Sequence, residues 1–473
     1  MLNNGFTFNA VRKHYLLTIK KKRQYWAPIR RNFIIIPGRP GALLDSTKTD
    51  VRVIAVDVEV SAECAYDLQK LSEEFAEWLI TTEPKELVFD DEEDRIYNAV
   101  VDGAFLDPEE IISNGYGTIT FICPDPYKYG PEKSLTNPST FNVEGTVETQ
   151  PVIKVKIKQD TTYVAVSNGE RLNLIGNPIQ AEQVPFEPET RRFWHECNSL
   201  VGWGATSSIE GGINRGTLKA NSYAFYTDDY GADSGWHGPA MKRSLGATLQ
   251  DFKVDVLLSQ KGASGQVGSV EIALLDASNQ IVAKMLVSKR SAGSQANYAR
   301  LRAGSDAAGH DIINERGDTE WVWADFEGIL RISRKGNEWT AYVAKYGINE
   351  AHHSSRYRLW TDSEQLYTAP VSQVQVQLWQ YSTVPATAQM VHDIKVYQIN
   401  EATETQIPYI ARIGDIIEFD HQADIIRKNG EDITREKAFI GEYFPLNKGK
   451  NTLIVEPSEA IESVETRWKP KWL

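Results

Sequence analysis

The chain has 473 residues, 41% of them apolar and 24% charged, with a net charge of −13. That length exceeds one ordinary hydrophobic core and predicts two to four soluble domains, and the acidic balance argues against a nucleic-acid partner. No apolar run approaches the ~18 residues of a membrane helix, and the start, "MLNNGFTFNAVRKHY", lacks an apolar signal-peptide core. Folding in the cytoplasm of the producing cell, without membrane insertion, is therefore expected.

Residues 1 to about 130 read as one α+β unit. The basic run "TIKKKRQYWAPIRR" (18–31) suggests a lysine-rich hairpin tip, with contact to an acidic neighbouring subunit as the second reading. "NFIIIPGRPGALLD" reads as a strand and a Pro-Gly turn. In "VRVIAVDVEVS" Arg52, Ile54, Val56, Val58 and Val60 alternate with Val51, Val53, Ala55, Asp57 and Glu59, which predicts a strand. "SAECAYDLQKLSEEFAEWLITTEP" is the one convincing helix, with Ser61 as its N-cap and Leu68, Leu71, Phe75, Trp78 and Leu79 as its apolar stripe. "KELVFDDEEDRIYNAVVDG" reads as two strands around a solvated acidic turn, Asp90 to Asp94. "TITFIC" is a strand that buries Ile119, Phe121 and Cys123, and Pro124 and Pro126 end it. The cysteines, Cys64, Cys123 and Cys197, include no CxxC pair, so neither a disulfide framework nor a zinc site is indicated.

From about residue 138 only strands follow, as in "PVIKVKIKQD", "TTYVAVSNG" and "ERLNLIG". The same texture returns in "IARIGDIIEFDHQADIIRKNGEDI" and in the closing "GEYFPLNKGKNTLIVEPSEAIESVETRWKPKWL". The two pieces read as halves of one β-sandwich separated by an insertion, which leaves through the proline-rich "GNPIQAEQVPFEPETRRF" and returns through "INEATETQIP". The insertion holds most of the tryptophans. It consists of many short alternating strands with polar turns, the pattern of a jelly roll or lectin-like sandwich.

In order and texture, "IIIPGRPGALL", "VRVIAVDVEV", "LQKLSEEFAEWLITTEPKELVFDDEEDRIYNAVVDG", "YGTITFICPDPYKYG" and the closing segment resemble the siphophage distal tail proteins (Dit) over the first 175 and last 70 residues. The resemblance implies a mainly β chain in three units. These are an α+β ring-forming domain with one helix (1–135), a galectin-like β-sandwich in two segments (136–192 and 401–473), and an inserted carbohydrate-binding-like sandwich (193–400), as in "evolved" members. It further implies a virion protein at the distal end of the phage tail. There it would form a homo-hexameric ring that links the tail tube and tape measure proteins to the tail-associated tip protein and baseplate. The alternatives are a tail-tip adaptor whose insertion contacts only virion proteins, and, further off, a cell-wall glycan-active enzyme.

No enzyme constellation emerges: GxSxG, HExxH and a phosphate loop are absent. On "EIALLD", Glu271 and Asp276 fall on opposite faces of a regular strand, and His352-His353 reads as an exposed loop. Saccharide adhesion to a host cell wall has two candidate sites. In "SQVQVQLWQY" one face carries Gln373, Gln375, Gln377, Trp379 and Tyr381, amides for hydroxyls and aromatic rings for the C–H face of a sugar. In "NSYAFYTDDYGADSGWHGP" the candidates are Tyr223, Tyr226 and Trp236 beside Asp228 and Asp229. No cofactor is required, calcium at those aspartates being the subordinate reading.

Overall fold

The computed structural model describes residues 5–61, 65–102, 114–207, 209–347 and 351–473. Cys64 and the side chain of Ser61, the expected helix N-cap, lie outside the described residues.

Strand alternation dictates the first unit. Its main sheet runs Phe6–Phe8, Lys85–Phe89, Ile96–Val101, Asn114–Cys123, Arg52–Ser61, Leu16–Lys22. The even-numbered residues from Ile54 to Val60 are buried, together with Ile119, Phe121 and Cys123, as the period of two requires. Helix Ala65–Leu79 covers that face with Phe75, Trp78 and Leu79, and the Trp78 indole donates to the Phe8 carbonyl at 3.0 Å. Burial pushes the Cys123 thiol up to about 12, so it packs as an apolar residue rather than acting as a nucleophile. The acidic turn is a partner of the basic run instead of a solvated tip. Asp91 takes Lys21 and Arg23, Glu92 takes Arg23 and Lys128, and Asp90 takes Arg12. One hairpin, Ile29–Ile34 with Leu43–Thr49, projects from this unit, and every residue of its first strand is exposed.

A second core draws on both ends of the chain. Strand Val152–Ile157 pairs on one side with Ile416–Asp420 and on the other with Ile461–Trp468. Tyr163–Ser167, between Leu172–Gly176 and Ile454–Glu456, supplies the facing sheet. Ile153, Val155, Val164, Val166, Ile417, Phe419, Val464 and Trp468 fill the space between them.

A third core lies wholly between Phe193 and Val396, in a sandwich of an eight-stranded and a nine-stranded sheet. Val184–Phe186 and Gln406–Pro408, which lead into and out of it, pair in parallel as a short neck. The outer face of the eight-stranded sheet looks across a cleft of about 740 Å³ at the split sandwich. Arg331 spans that cleft, bonding Asp255 at 2.6 Å on its own sheet and Glu431 at 2.7 Å on the other side. His352-His353 opens the edge strand His352–Thr361 and does not form a loop, and the His352 ring packs beside Tyr342 and Tyr346. The nine-stranded sheet therefore turns its outer face away from the rest of the molecule.

Candidate functional site

The outer face of the nine-stranded sheet is set by register. In strand Val371–Tyr381, Val374, Val376 and Leu378 enter the core, which turns Gln373, Gln375, Gln377, Trp379 and Tyr381 outward. Trp379 lies opposite Ser269 and Gln377 opposite Glu271. On the next strand Ser288 faces Ser269 and Leu286 faces Glu271, and beyond it Tyr298 and Arg300 continue the two rows.

Much of the predicted amide-aromatic face is closed. Trp379 is only 1% exposed, because the segment that precedes strand Ile213–Asn214 lies on it. A Cβ at Gly212 would come within 3.0 Å of the indole. Gln375 is buried and accepts from the Thr206 hydroxyl, and Gln373 donates to the Asp276 carbonyl at 2.8 Å. Gln377 is buried as well, and neither atom of its amide has a hydrogen-bond partner among the described residues. Alternation alone identifies the outward face; it does not say that a loop roofs part of it. Trp379, Gln375 and Gln377 are therefore support for the sheet and not a sugar platform.

What remains open is a groove of about 460 Å³ beside that roof. Here the two sequence candidates partly merge. Trp236, from the glycine-rich loop stretch, pairs in register with Tyr381, and their rings meet edge to face at 5.3 Å. Tyr381 is 44% exposed and Trp236 is half-buried, so the pair forms an aromatic corner of the groove. The other members of that stretch lie elsewhere. Tyr223 stacks on His392, which belongs to the eight-stranded sheet. Tyr226 stands in the hairpin formed by Thr217–Ala220 and Phe225–Asp229. Asp228 pairs with Lys219 at 2.6 Å, and Asp229 accepts from the Gly231 amide at 3.0 Å within the turn. Both carboxylates are thus spent on local structure. Among the described residues no group of three His, Cys, Asp or Glu side chains comes together as a cation site.

Charged residues, of which the sequence reading weighed only Glu271, form the groove floor. Lys284 reaches Glu271 at 2.9 Å and Asp306 at 2.7 Å. Arg300 bonds Asp306 and Asp311, at 3.1 and 2.7 Å, and Arg302 joins the same two carboxylates. Burial opposes the charge on Lys284, yet its two carboxylates outweigh this and raise its pKa above the ordinary value. Burial likewise would lift Asp306, but Lys284 and the arginines outweigh it and hold the carboxyl below its usual range. Hydrolysis of a glycosidic bond needs one of two carboxyls protonated. The lysine clamp keeps Glu271 and Asp306 matched with cations, an arrangement suited to holding hydroxyl groups. The only sequence signal for this floor was the i, i+2 spacing of Lys284, Leu286, Ser288 and Arg290. It was hidden inside a nearly continuous apolar run, "IVAKMLVSK".

Comparison with known families finds two matches. Residues 12–123 match the phage tail protein RIFT-related domain, and residues 374–472 match the C-terminal domain of siphovirus-type tail components. No curated protein sequence matches. Among solved structures, the CBM2 module of the evolved Dit of Lactobacillus casei BL23 phage J-1 is similar at 15% identity and a TM-score of 0.40, covering 46% of this chain and 100% of that one. The SPP1 Dit protein is similar at 20% identity and a TM-score of 0.33, covering 37% and 74%. A non-specific endo-β-1,3(4)-glucanase of family GH16 is similar at 10% identity and a TM-score of 0.32, covering 48% and 96%.

Proposed function

We propose, from the premise that this chain belongs to the siphophage distal tail protein family and is a structural component of the virion tail, that it assembles as a hexameric ring and carries a module for host-surface saccharide. The ring would join the tail tube and tape measure proteins to the tip apparatus. Its support is the projecting hairpin: Phe33, Ile34, Ile35 and Leu44 are each more than half exposed. An isolated arm that displays apolar side chains is material for covering by a neighbouring subunit.

The observation that carries the adhesive role is the corner of Trp236 and Tyr381 above a floor of matched charges. Aromatic faces stack on the C–H side of a pyranose, and the fixed carboxylates and cations pair with its hydroxyls. The groove opens on the face of the module that is turned away from the split sandwich, where a cell surface can reach it. The family is one of tail components and the floor offers no acid–base pair, which favours adhesion over hydrolysis.

Light scattering on the full chain, and on a variant in which 193–400 is replaced by a short Gly-Ser linker, tests the ring. Both should show about six protomers. A linker variant that stays monomeric at high concentration while the full chain is hexameric would place assembly in the insertion and overturn the ring assignment. Sedimentation with host cell walls tests adhesion. If only other virion proteins, and no wall preparation, are retained by the full chain, the adaptor reading replaces the saccharide one.

A further inference from the structure

We infer that the saccharide taken by this groove carries an anionic substituent, a carboxylate or a phosphate, which Arg290 receives; this deepens the saccharide reading of the same groove and rests on it. Three of the cations on this face are already engaged. Lys284, Arg300 and Arg302 share Glu271, Asp306 and Asp311 among them, so charge on the floor is balanced. Arg290, which also lines the groove, makes no ion pair among the described residues. Its guanidinium lies over the Tyr298 ring, 5.1 Å from the centroid, which holds it in place without neutralising it.

Position strengthens the case. Alternation from Lys284 through Leu286 and Ser288 puts Arg290 on the groove face. Arg290 is two residues beyond Ser288, as Tyr381 is two beyond Trp379, and Ser288, Ser269 and Trp379 share one row. The two side chains therefore stand at the same end of the groove, two strands or about 10 Å apart. A ring stacked on Tyr381 and Trp236 can point an exocyclic group at Arg290.

The intervening residues do not compete for an anion. The Ser269 hydroxyl donates to Glu271 and the Ser288 hydroxyl to the Gly268 carbonyl, so both present lone pairs that suit sugar hydroxyls. At the far end Glu271 and Asp306 already hold the cations there, so a negative group finds no free positive charge among them. On a chain of net charge −13, long-range attraction does not draw anions in, so their recognition has to be local. The orientation of the ligand follows: its charged substituent lies at the aromatic end and its neutral hydroxyls over the carboxylates.

The test uses the full-length protein on an array of bacterial surface polysaccharides with neutral, uronate-bearing and phosphate-bearing members. Wild type is compared with Arg290→Gln, Arg290→Lys and Trp236→Ala, and a melting curve confirms the fold of each. Retention of uronate or phosphate glycans that weakens about ten-fold or more in Arg290→Gln, less in Arg290→Lys, and falls with added salt is the expected result. Which class is retained tells carboxylate from phosphate. Neutral glycans retained by wild type, or acidic ones lost in Trp236→Ala but unchanged in Arg290→Gln, would overturn the anionic inference and leave the groove standing. Glycan binding untouched by Trp236→Ala, or no glycan bound at all, would remove the groove reading and this inference with it.

Discussion

The two outer faces of the inserted sandwich carry ion networks of similar make-up and put them to different uses. On the face turned to the split sandwich, Arg331 holds one carboxylate from each side of the cleft, Asp255 and Glu431. On the opposite face, Lys284, Arg300 and Arg302 hold carboxylates that all belong to the sandwich itself. The first network is a latch, because it fails if the two bodies separate. The second stays intact whatever approaches it, which is the property a preorganised binding floor requires. Ion pairs do not by themselves mark a site. What distinguishes the two faces is whose residues complete the pair.

The latch offers the largest expected effect. Arg331→Met leaves the largely buried carboxylates of Asp255 and Glu431 without their shared cation, at a cost of about 3–5 kcal/mol. Thermal melting should show the loss, and limited proteolysis should cut the neck near Val184–Phe186 faster than in wild type. Unchanged melting and unchanged neck cleavage would mean the two bodies are held by something other than this pair.

The roof over the second face gives the next test, from two tryptophans close in space. Trp379→Ala removes a buried ring and should cost about 3–5 kcal/mol of stability. Trp236→Ala should cost less, about 0.5–1.5 kcal/mol for its ring contact with Tyr381, while weakening wall binding about ten-fold. A Trp379→Ala protein that melts like wild type but no longer binds would show that the roof opens and that Trp379 belongs to the site after all.

The clamp itself gives the smallest change, and one with a pH signature. Lys284→Met should destabilise the module by about 1–3 kcal/mol at neutral pH, because Glu271 and Asp306 lose a shared partner while the arginines remain. The lysine's raised pKa makes its contribution fully present below 10.5 and lost as pH rises through the folded value. The lowered pKa of Asp306 makes its contribution present above 3.8 and lost as pH falls through the folded value. Unfolding curves should therefore show a gap between wild type and variant that is flat across roughly pH 5–9 and closes at both extremes. A gap that varies steeply near pH 7 would count against a fully ionised floor.

Period-two alternation carried most of the fold into plain view. It identified the strand Arg52–Ser61 and its two faces, the inward valines of Val371–Tyr381 and the strand that ends at Cys123. Helix Ala65–Leu79 was visible as a stripe ending in Phe75, Trp78 and Leu79. The site was half legible. Trp236 and Tyr381 were both named, yet nothing local says that strands about 145 residues apart in sequence place them in register. The burial of Trp379 depends on a loop reaching over it from residues 206–212, a tertiary event with no periodic trace. The charges of the floor were hidden because Lys284 and Ser288 stand among apolar residues in "IVAKMLVSK", so the strand shows no clean polar alternation. The acidic turn at Asp90 to Asp94 looked like a solvated tip because its basic partners, Lys21 and Arg23, lie some seventy residues upstream.

Strand Lys471–Trp472 pairs with Lys128–Tyr129, the short strand that continues the sheet of the first unit. Arg95 lies over the Trp472 ring at 3.5 Å, and Gly130 leaves just the space the indole fills. A ribosome that has made Tyr129 must add about 340 further residues before this strand exists. At 5–20 residues per second that is roughly 20 to 70 s during which the edge stands open. The first unit is therefore finished only after the whole insertion and the split sandwich have been synthesised. Chains that have not yet made this strand leave that edge unsealed and Arg95 uncovered, so the sheet of the first unit is closed only in subunits whose synthesis has passed Trp472.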